Sequence, residues 1–249
     1  TNQSNAKAWR LKGEINILMA DYEQAIIDLK KSKSLTDEPV TRLSLAKAYI
    51  RAKQDENAIT ELKTTIDLPE APAEARMLLG QIYLRLGRKV ELKKLYDQTL
   101  KQFPESAFWY SRAAAFAMNE GDVSRAEELY KQALQKTRKD DENGAAAIDE
   151  YLQVLIAAGK PDKVFEEGGK YVDGDFAPVV LVRMAEAKLK LGDKESAVQY
   201  ERKALEKMLA ARNRGFDSDV LQRLSAMFGA DDVTKNCKEL LEANPGLSR

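Results

Sequence analysis

Apolar residues along this chain recur at helical spacing, and the same spacing restarts after every 33 to 38 positions. The clearest copy is the stretch from Glu120 to Leu134. Ala126, Leu129, Tyr130, Ala133 and Leu134 fall at i, i+3, i+4, i+7 and i+8, which predicts one amphipathic helix with a single buried stripe. Just before it, Gly121 suits the positive φ that ends a helix, and Asp122 suits the cap of the next one. The stretch therefore predicts a tight turn followed by a helix.

Copies of this turn and helix line up on the residue equivalent to Ala126. Ala20-Asp21-Tyr22-Glu23-Gln24-Ala25 and Gln54-Asp55-Glu56-Asn57-Ala58 precede it, and Leu191-Gly192-Asp193-Lys194-Glu195-Ser196-Ala197 follows. Looser versions centre on Leu92, Val164 and Thr234. The marks at 25, 58, 92, 126, 164, 197 and 234 are 33, 34, 34, 38, 33 and 37 residues apart. A period near 34 is the mark of a helical repeat array, in which each two-helix unit is too small to bury its own apolar faces and must stack on its neighbours. The expected organisation is a single array over 6–245, with repeats near 6–37, 39–70, 73–104, 107–139, 145–174, 178–211 and 215–245. Residues 1–5 are expected to be disordered or left over from cloning, and 246–249 to form a tail.

Several residues carry a family pattern. Trp9 and Gly13 stand with Tyr22 and Ala25; Leu79-Gly80 and Tyr83 stand with Gly87, Tyr96 and Pro104. Tyr110, Ala114, Ala126, Tyr130 and Ala133 follow, then Ala185, Gly192, Ala197 and Ala204. This resembles the tetratricopeptide repeat (TPR) family over about residues 6 to 245. The resemblance implies an all-α, right-handed superhelical solenoid of about seven hairpins, the fifth and seventh degenerate. Small residues are expected where helices cross: Gly13, Ala46, Gly80, Ala114 and Ala185 in first helices, and Ala25, Ala58, Ala126 and Ala197 in second helices.

Some stretches depart from the pattern. Ile15, Ile17 and Leu18 make the opening helix unusually apolar for an array end, and Asn16 replaces an expected aromatic. The run 138–144 reads as a solvated loop or frayed helix end. Gly168-Gly169 interrupts the second helix of the fifth repeat, at about 1 kcal/mol per glycine relative to alanine, so that helix is expected to be short or bent.

Composition narrows the chemistry. Lys+Arg and Asp+Glu are 40 each, without the basic excess of a nucleic-acid binder, and no apolar run is long enough to insert in a membrane. The absence of histidine removes the Ser-His-Asp, Cys-His and HExxH arrangements. Gly168-Gly169-Lys170 lacks the flanking residues of a phosphate-binding loop, and Asp173-Gly174-Asp175 lacks the spacing of a calcium loop. Cys237 is alone and reads as a semi-buried packing thiol. Neighbouring carboxylates such as Glu127-Glu128 read as solvated or capping residues. No catalytic residue, metal site or cofactor is expected.

What remains is the surface that the family resemblance implies, a concave groove lined by first helices. Carried over position by position, it comprises Arg10, Glu14, Leu43, Lys47, Arg51, Met77, Gln81, Arg85, Phe108, Ser111, Met118 and Asn119, with Asp149 and Glu186 further along. Glu14, Lys47 and Gln81 occupy the sites where a carboxylate clamp needs asparagine, which disfavours chaperone tails. The mixture of apolar residues with Arg51 and Arg85 suits an extended or helical segment carrying apolar anchors and acidic residues. The leading reading is a non-catalytic scaffold that binds a protein or peptide partner in this groove. The alternative is a structural array segment of a larger envelope or secretion assembly, touching partners or itself end to end or through its convex face. Both the cytoplasm and, after removal of a leader, the periplasm fit this composition.

Overall fold

The computed structural model describes residues 2–137, 142–210 and 217–244. Fourteen α-helices are present among them: α1 (Asn2–Leu18), α2 (Tyr22–Leu35), α3 (Pro39–Arg51), α4 (Asp55–Ile66), α5 (Ala73–Arg85), α6 (Lys89–Gln102), α7 (Ala107–Asn119), α8 (Val123–Lys136), α9 (Glu142–Ala157), α10 (Pro161–Gly168), α11 (Ala177–Lys190), α12 (Lys194–Ala210), α13 (Asp217–Phe228) and α14 (Ala230–Ala243). Helices α1–α2, α3–α4, α7–α8, α9–α10, α11–α12 and α13–α14 pack as hairpins, a tight turn at Gly87 joins α5 to α6, and the packing gathers into two compact units, Thr1–Leu95 and Tyr96–Arg249.

Six hairpins share one turn. A residue with positive φ ends the first helix: Ala20, Lys53, Gly87, Gly121, Gly159 or Gly192. The next residue then donates its N–H to the carbonyl five positions back, from Asp21 to Asn16, Gln54 to Tyr49, Arg88 to Tyr83, Asp122 to Ala117, Lys160 to Leu155 and Asp193 to Lys188, all within 3.0 Å. This is the Schellman closure, which satisfies carbonyls that a helix end leaves without partners. Asp21, Asp122 and Asp193 add side-chain caps, each accepting the N–H three residues on at 3.1 Å. The seventh hairpin is different: α13 and α14 meet through Gly229 at φ 95°, without that closure.

Small residues set the closeness of each hairpin. Ala25, Ala46, Ala58, Ala114, Ala126, Ala185 and Ala197 are completely buried. A Cβ on Gly13 would stand 2.5 Å from Leu29 Cγ, so α1 and α2 touch there as closely as backbone permits. In the first unit the core runs through Leu29, Leu45, Leu62, Leu79, Ile82 and Leu92. In the second it runs through Ile148, Tyr151, Leu155, Val164, Val180, Leu205 and Leu224.

Four sequence expectations are corrected or bounded. Residues 1–5 were expected to lack structure, yet α1 begins at Asn2; Ala6 is anchored by the Ser32 hydroxyl, which donates to its carbonyl at 2.8 Å. The polar run splits: 138–141 lies outside the described residues, while Glu142 already opens α9. Asn16 leaves no gap where an aromatic was expected. It donates to the fully buried Asp28 carboxylate at 2.8 Å, which also accepts from Lys12 and Gln24. Glu127 is not solvated; it is buried beneath three lysines. The fifth hairpin is short as expected, α10 stopping at Gly168 and tightening into a single 3-10 turn, Gly169–Tyr171.

Candidate functional site

First helices present side chains in a fixed register around each crossing residue. In the first unit, Arg10, Leu43 and Met77 lie three positions before it, and Glu14, Lys47 and Gln81 lie one after. Such positions share one helix face, so the three helices offer a row of neighbouring groups. The structure sorts them sharply. Arg10 Nη1 donates to Glu14 Oε1 at 2.8 Å, and the Ser44 hydroxyl donates to the same oxygen at 2.7 Å, tying α1 to α3. Lys47 Nζ donates to Glu74 at 2.8 Å, tying α3 to α5. Arg85 turns back to the Asp55 carboxylate at the start of α4. Leu43 is buried and is a packing residue. Arg51 and Gln81 are exposed and form no hydrogen bond or ion pair among the described residues; Met77 is half-buried and Leu84 is exposed.

In the second unit, Phe108, Ser111 and Met118 are half-buried and Asn119 is exposed. Phe108 meets Trp109 edge to face at 5.0 Å, and the Arg112 guanidinium lies 5.2 Å from the Phe108 ring centre. Beyond them a charge network replaces the apolar row. Asp149 on α9 receives two bonds from Arg183 on α11, at 2.7 and 2.9 Å, and one from Arg223 on α13 at 2.9 Å. Arg183 also reaches Glu186 at 2.8 Å, and Arg223 reaches Asp219 at 3.3 Å. Burial pushes the Glu150 carboxyl up, and the Tyr130 hydroxyl donating at 3.0 Å works against that rise. Burial and the adjacent Glu150 charge raise the Tyr130 hydroxyl, so it remains a donor.

Two features escaped the sequence reading. Arg183 and Arg223 carry the network, reaching the Asp149 carboxylate from α11 and α13. The second feature is a cavity of about 460 Å³ where α10 ends early, lined by Phe165, Leu181, Met184 and Tyr200 with Lys203 and Lys207 at its mouth. Gly168-Gly169 was its only trace in the sequence. Burial raises the Cys237 thiol, the reverse of what a nucleophilic thiolate needs. No group of His, Cys, Asp or Glu suited to a metal ion occurs among the described residues, and none of the described helices is long and apolar enough to cross a membrane.

Six hairpins with one turn geometry, repeated every 33 to 38 residues, agree with the sequence models of the tetratricopeptide repeat, which match residues 43–91, 93–143 and 179–206. The chain belongs to the tetratricopeptide repeat family. Among solved structures it is similar to the C-terminal part of a TPR repeat-containing protein from Cytophaga hutchinsonii, at 15% identity and a TM-score of 0.61, covering 95% of this chain and 96% of that one. It is also similar to the Cut9–Hcn1 hetero-tetramer of the APC/C (16% identity, TM-score 0.50, 88% of this chain and 42% of that one). MamA 41-end from Desulfovibrio magneticus RS-1 gives 12% identity and a TM-score of 0.47, covering 84% of this chain and 98% of that one. No curated protein matches the chain. The TPR fold is that of a protein–protein interaction scaffold, and proteins of this family are generally non-catalytic.

Proposed function

We propose that this tetratricopeptide repeat protein is a non-catalytic scaffold that holds a partner's peptide or helical segment on its first-helix face. In the first unit the contacts are Arg51, Met77 and Gln81, with Leu84 beside them. The observation that carries this reading is the contrast on α3 and α5. Their other charged groups are already paired (Lys47 with Glu74, Arg85 with Asp55), while Arg51 and Gln81 keep free hydrogen-bonding capacity next to exposed apolar surface. A cation beside methionine and leucine suits a segment with an apolar anchor and an acidic residue. Arg10, Glu14, Lys47 and Arg85 form the pairs at its edge, which a bound carboxylate or ammonium can exchange. In the second unit, Phe108, Ser111, Met118 and Asn119 supply the corresponding surface. Cut9, a protein of similar fold, is seen in a hetero-tetramer with Hcn1, which is in keeping with a partner-holding role.

Selection from a random peptide library tests the proposal, with the triple variant Arg51→Glu, Met77→Glu, Leu84→Glu as counter-target. All three side chains are at least partly exposed, so the variant is expected to remain helical. Expected are peptides with an apolar anchor and a nearby Asp or Glu, bound at least about tenfold more tightly by the parent chain. Peptides held equally by both proteins, or no enrichment, would remove the assignment.

A further inference from the structure

The second helices of the other hairpins run 12 to 17 residues, while α10 runs 8. It is at least one turn short. Its end is pressed onto α11: a Cβ on Gly168 would stand 3.1 Å from Val180 Cγ1 and 3.3 Å from Met184 Cε. One turn earlier, Phe165 stacks on Tyr200 of α12 with ring centres 5.9 Å apart. The cavity of about 460 Å³ opens beside that pair, where α10 stops. Its size falls among small-molecule sites, which run from about 300 to 1,000 Å³. Its floor is Leu181 and Met184 of α11, each 3% exposed, and Val172 closes one end. Gly169 borders it as well, and a Cβ there would meet nothing within 4 Å. None of the first-helix positions proposed above for a partner segment lines this cavity.

We propose that this cavity binds an amphipathic carboxylate, its alkyl chain lying on Leu181 and Met184 and its carboxylate held at the mouth by Lys203 and Lys207. A partner's helix, about 10–12 Å thick with its side chains, is too wide to enter. The floor side chains offer no hydrogen bond, so a polar ligand would lose water there without replacement. The mouth selects the sign of the head group. Tyr200, Lys203 and Lys207 follow one face of α12 at i, i+3 and i+7. Lys203 Nζ lies 5.7 Å from the Tyr200 ring centre and has no carboxylate partner among the described residues. Lys207 Nζ reaches Asp173 at 3.3 Å, a carboxylate whose side chain is 93% exposed, so a ligand anion can take its place readily. Glu206 also borders the cavity, but it is turned about 100° from Lys207 around α12, which leaves the lysine edge to the ligand. A carboxylate between two ammonium groups accepts charge-assisted hydrogen bonds, roughly twice as strong as neutral ones.

Calorimetric titration of the full chain with hexanoate, octanoate and decanoate tests this, with decylamine and decanol as controls. Affinity should rise about fourfold per added methylene, the equivalent of about 0.8 kcal/mol per buried CH₂. Gly169 has ordinary helical angles, φ −54° and ψ −23°, so a side chain there strains nothing. Gly169→Phe should fill the cavity and weaken decanoate at least about tenfold at unchanged helicity. Lys203 is exposed, so Lys203→Gln keeps the fold; it should weaken decanoate at least about fivefold and leave decanol unchanged. Decanoate left unbound at about 1 mM overturns the proposal and assigns the hollow to a partner's side chain. Binding kept by a folded Gly169→Phe overturns it too, as does an affinity indifferent to chain length. Decylamine held as tightly as decanoate would refute the carboxylate.

Discussion

Asp149 and Arg223, 74 residues apart, meet at 2.9 Å, and Arg183 grips the same carboxylate from the helix between them. One acid thus staples α9, α11 and α13. Removing it leaves the buried Arg183 with Glu186 alone and Arg223 with Asp219 alone. Asp149→Ala should cost about 1–3 kcal/mol, read as a lower urea midpoint, because a buried charge that loses its main partner costs more than no pair at all. Asp149→Leu combined with Arg183→Met should recover most of that loss. A double variant as unstable as the single one would show that packing, not charge, holds these helices.

The carboxyl of Glu127 is held down at about 2, against an ordinary 4.5, chiefly by Lys160 donating at 2.8 Å, with Lys163 and Lys131 adding to it. A depressed carboxyl stabilises the fold fully above its unfolded value, and the stabilisation is lost as pH falls through the folded one. The advantage of the parent over Glu127→Gln should therefore be whole at pH 6, shrink below about 4.5 and vanish near 2. Thermal unfolding of both proteins across that window checks it; a gap unchanged down to pH 3 would refute the ion pairing.

Ala20 and Lys53 hold φ near 60° in turns where four other hairpins use glycine. A Cβ in the left-handed region costs about 1 kcal/mol. Ala20→Gly and Lys53→Gly should each stabilise the protein by up to that amount, and Gly121→Ala, at φ 79°, should destabilise it similarly. Urea titrations at constant slope read all three changes.

Two Gly→Ala substitutions should differ in sign. A Cβ at Gly13 meets Leu29 Cγ at 2.5 Å, so Gly13→Ala must push α2 away and should cost about 1–3 kcal/mol despite the better helix propensity. Gly169 has nothing within 4 Å, and Gly169→Ala should be neutral or stabilising by up to about 1 kcal/mol. Equal effects at the two sites would mean that propensity outweighs the crossing contact.

The hairpins were readable because each turn-and-helix unit repeats its own local signals: Gly121 before Asp122, then an apolar stripe from Ala126. Even the turns without glycine, at Ala20 and Lys53, betrayed themselves by the residues around them. The candidate site was readable only as a set of positions. Leu43 and Arg51 both looked available along the sequence, yet one is buried and the other free. Arg51 and Arg85 looked equivalent, yet Arg85 is held by Asp55.

The sequence by itself therefore determined the repeat, its period, the two-helix unit and the small residues at its crossings. These depend on spacings of three to seven residues, within reach of one helix and one turn. Tertiary structure alone decided which charges pair and which stay open, and that Asp28 and Glu127 are buried acids with partners. Those outcomes depend on groups tens of residues apart, brought within 3 Å only when neighbouring helices stack.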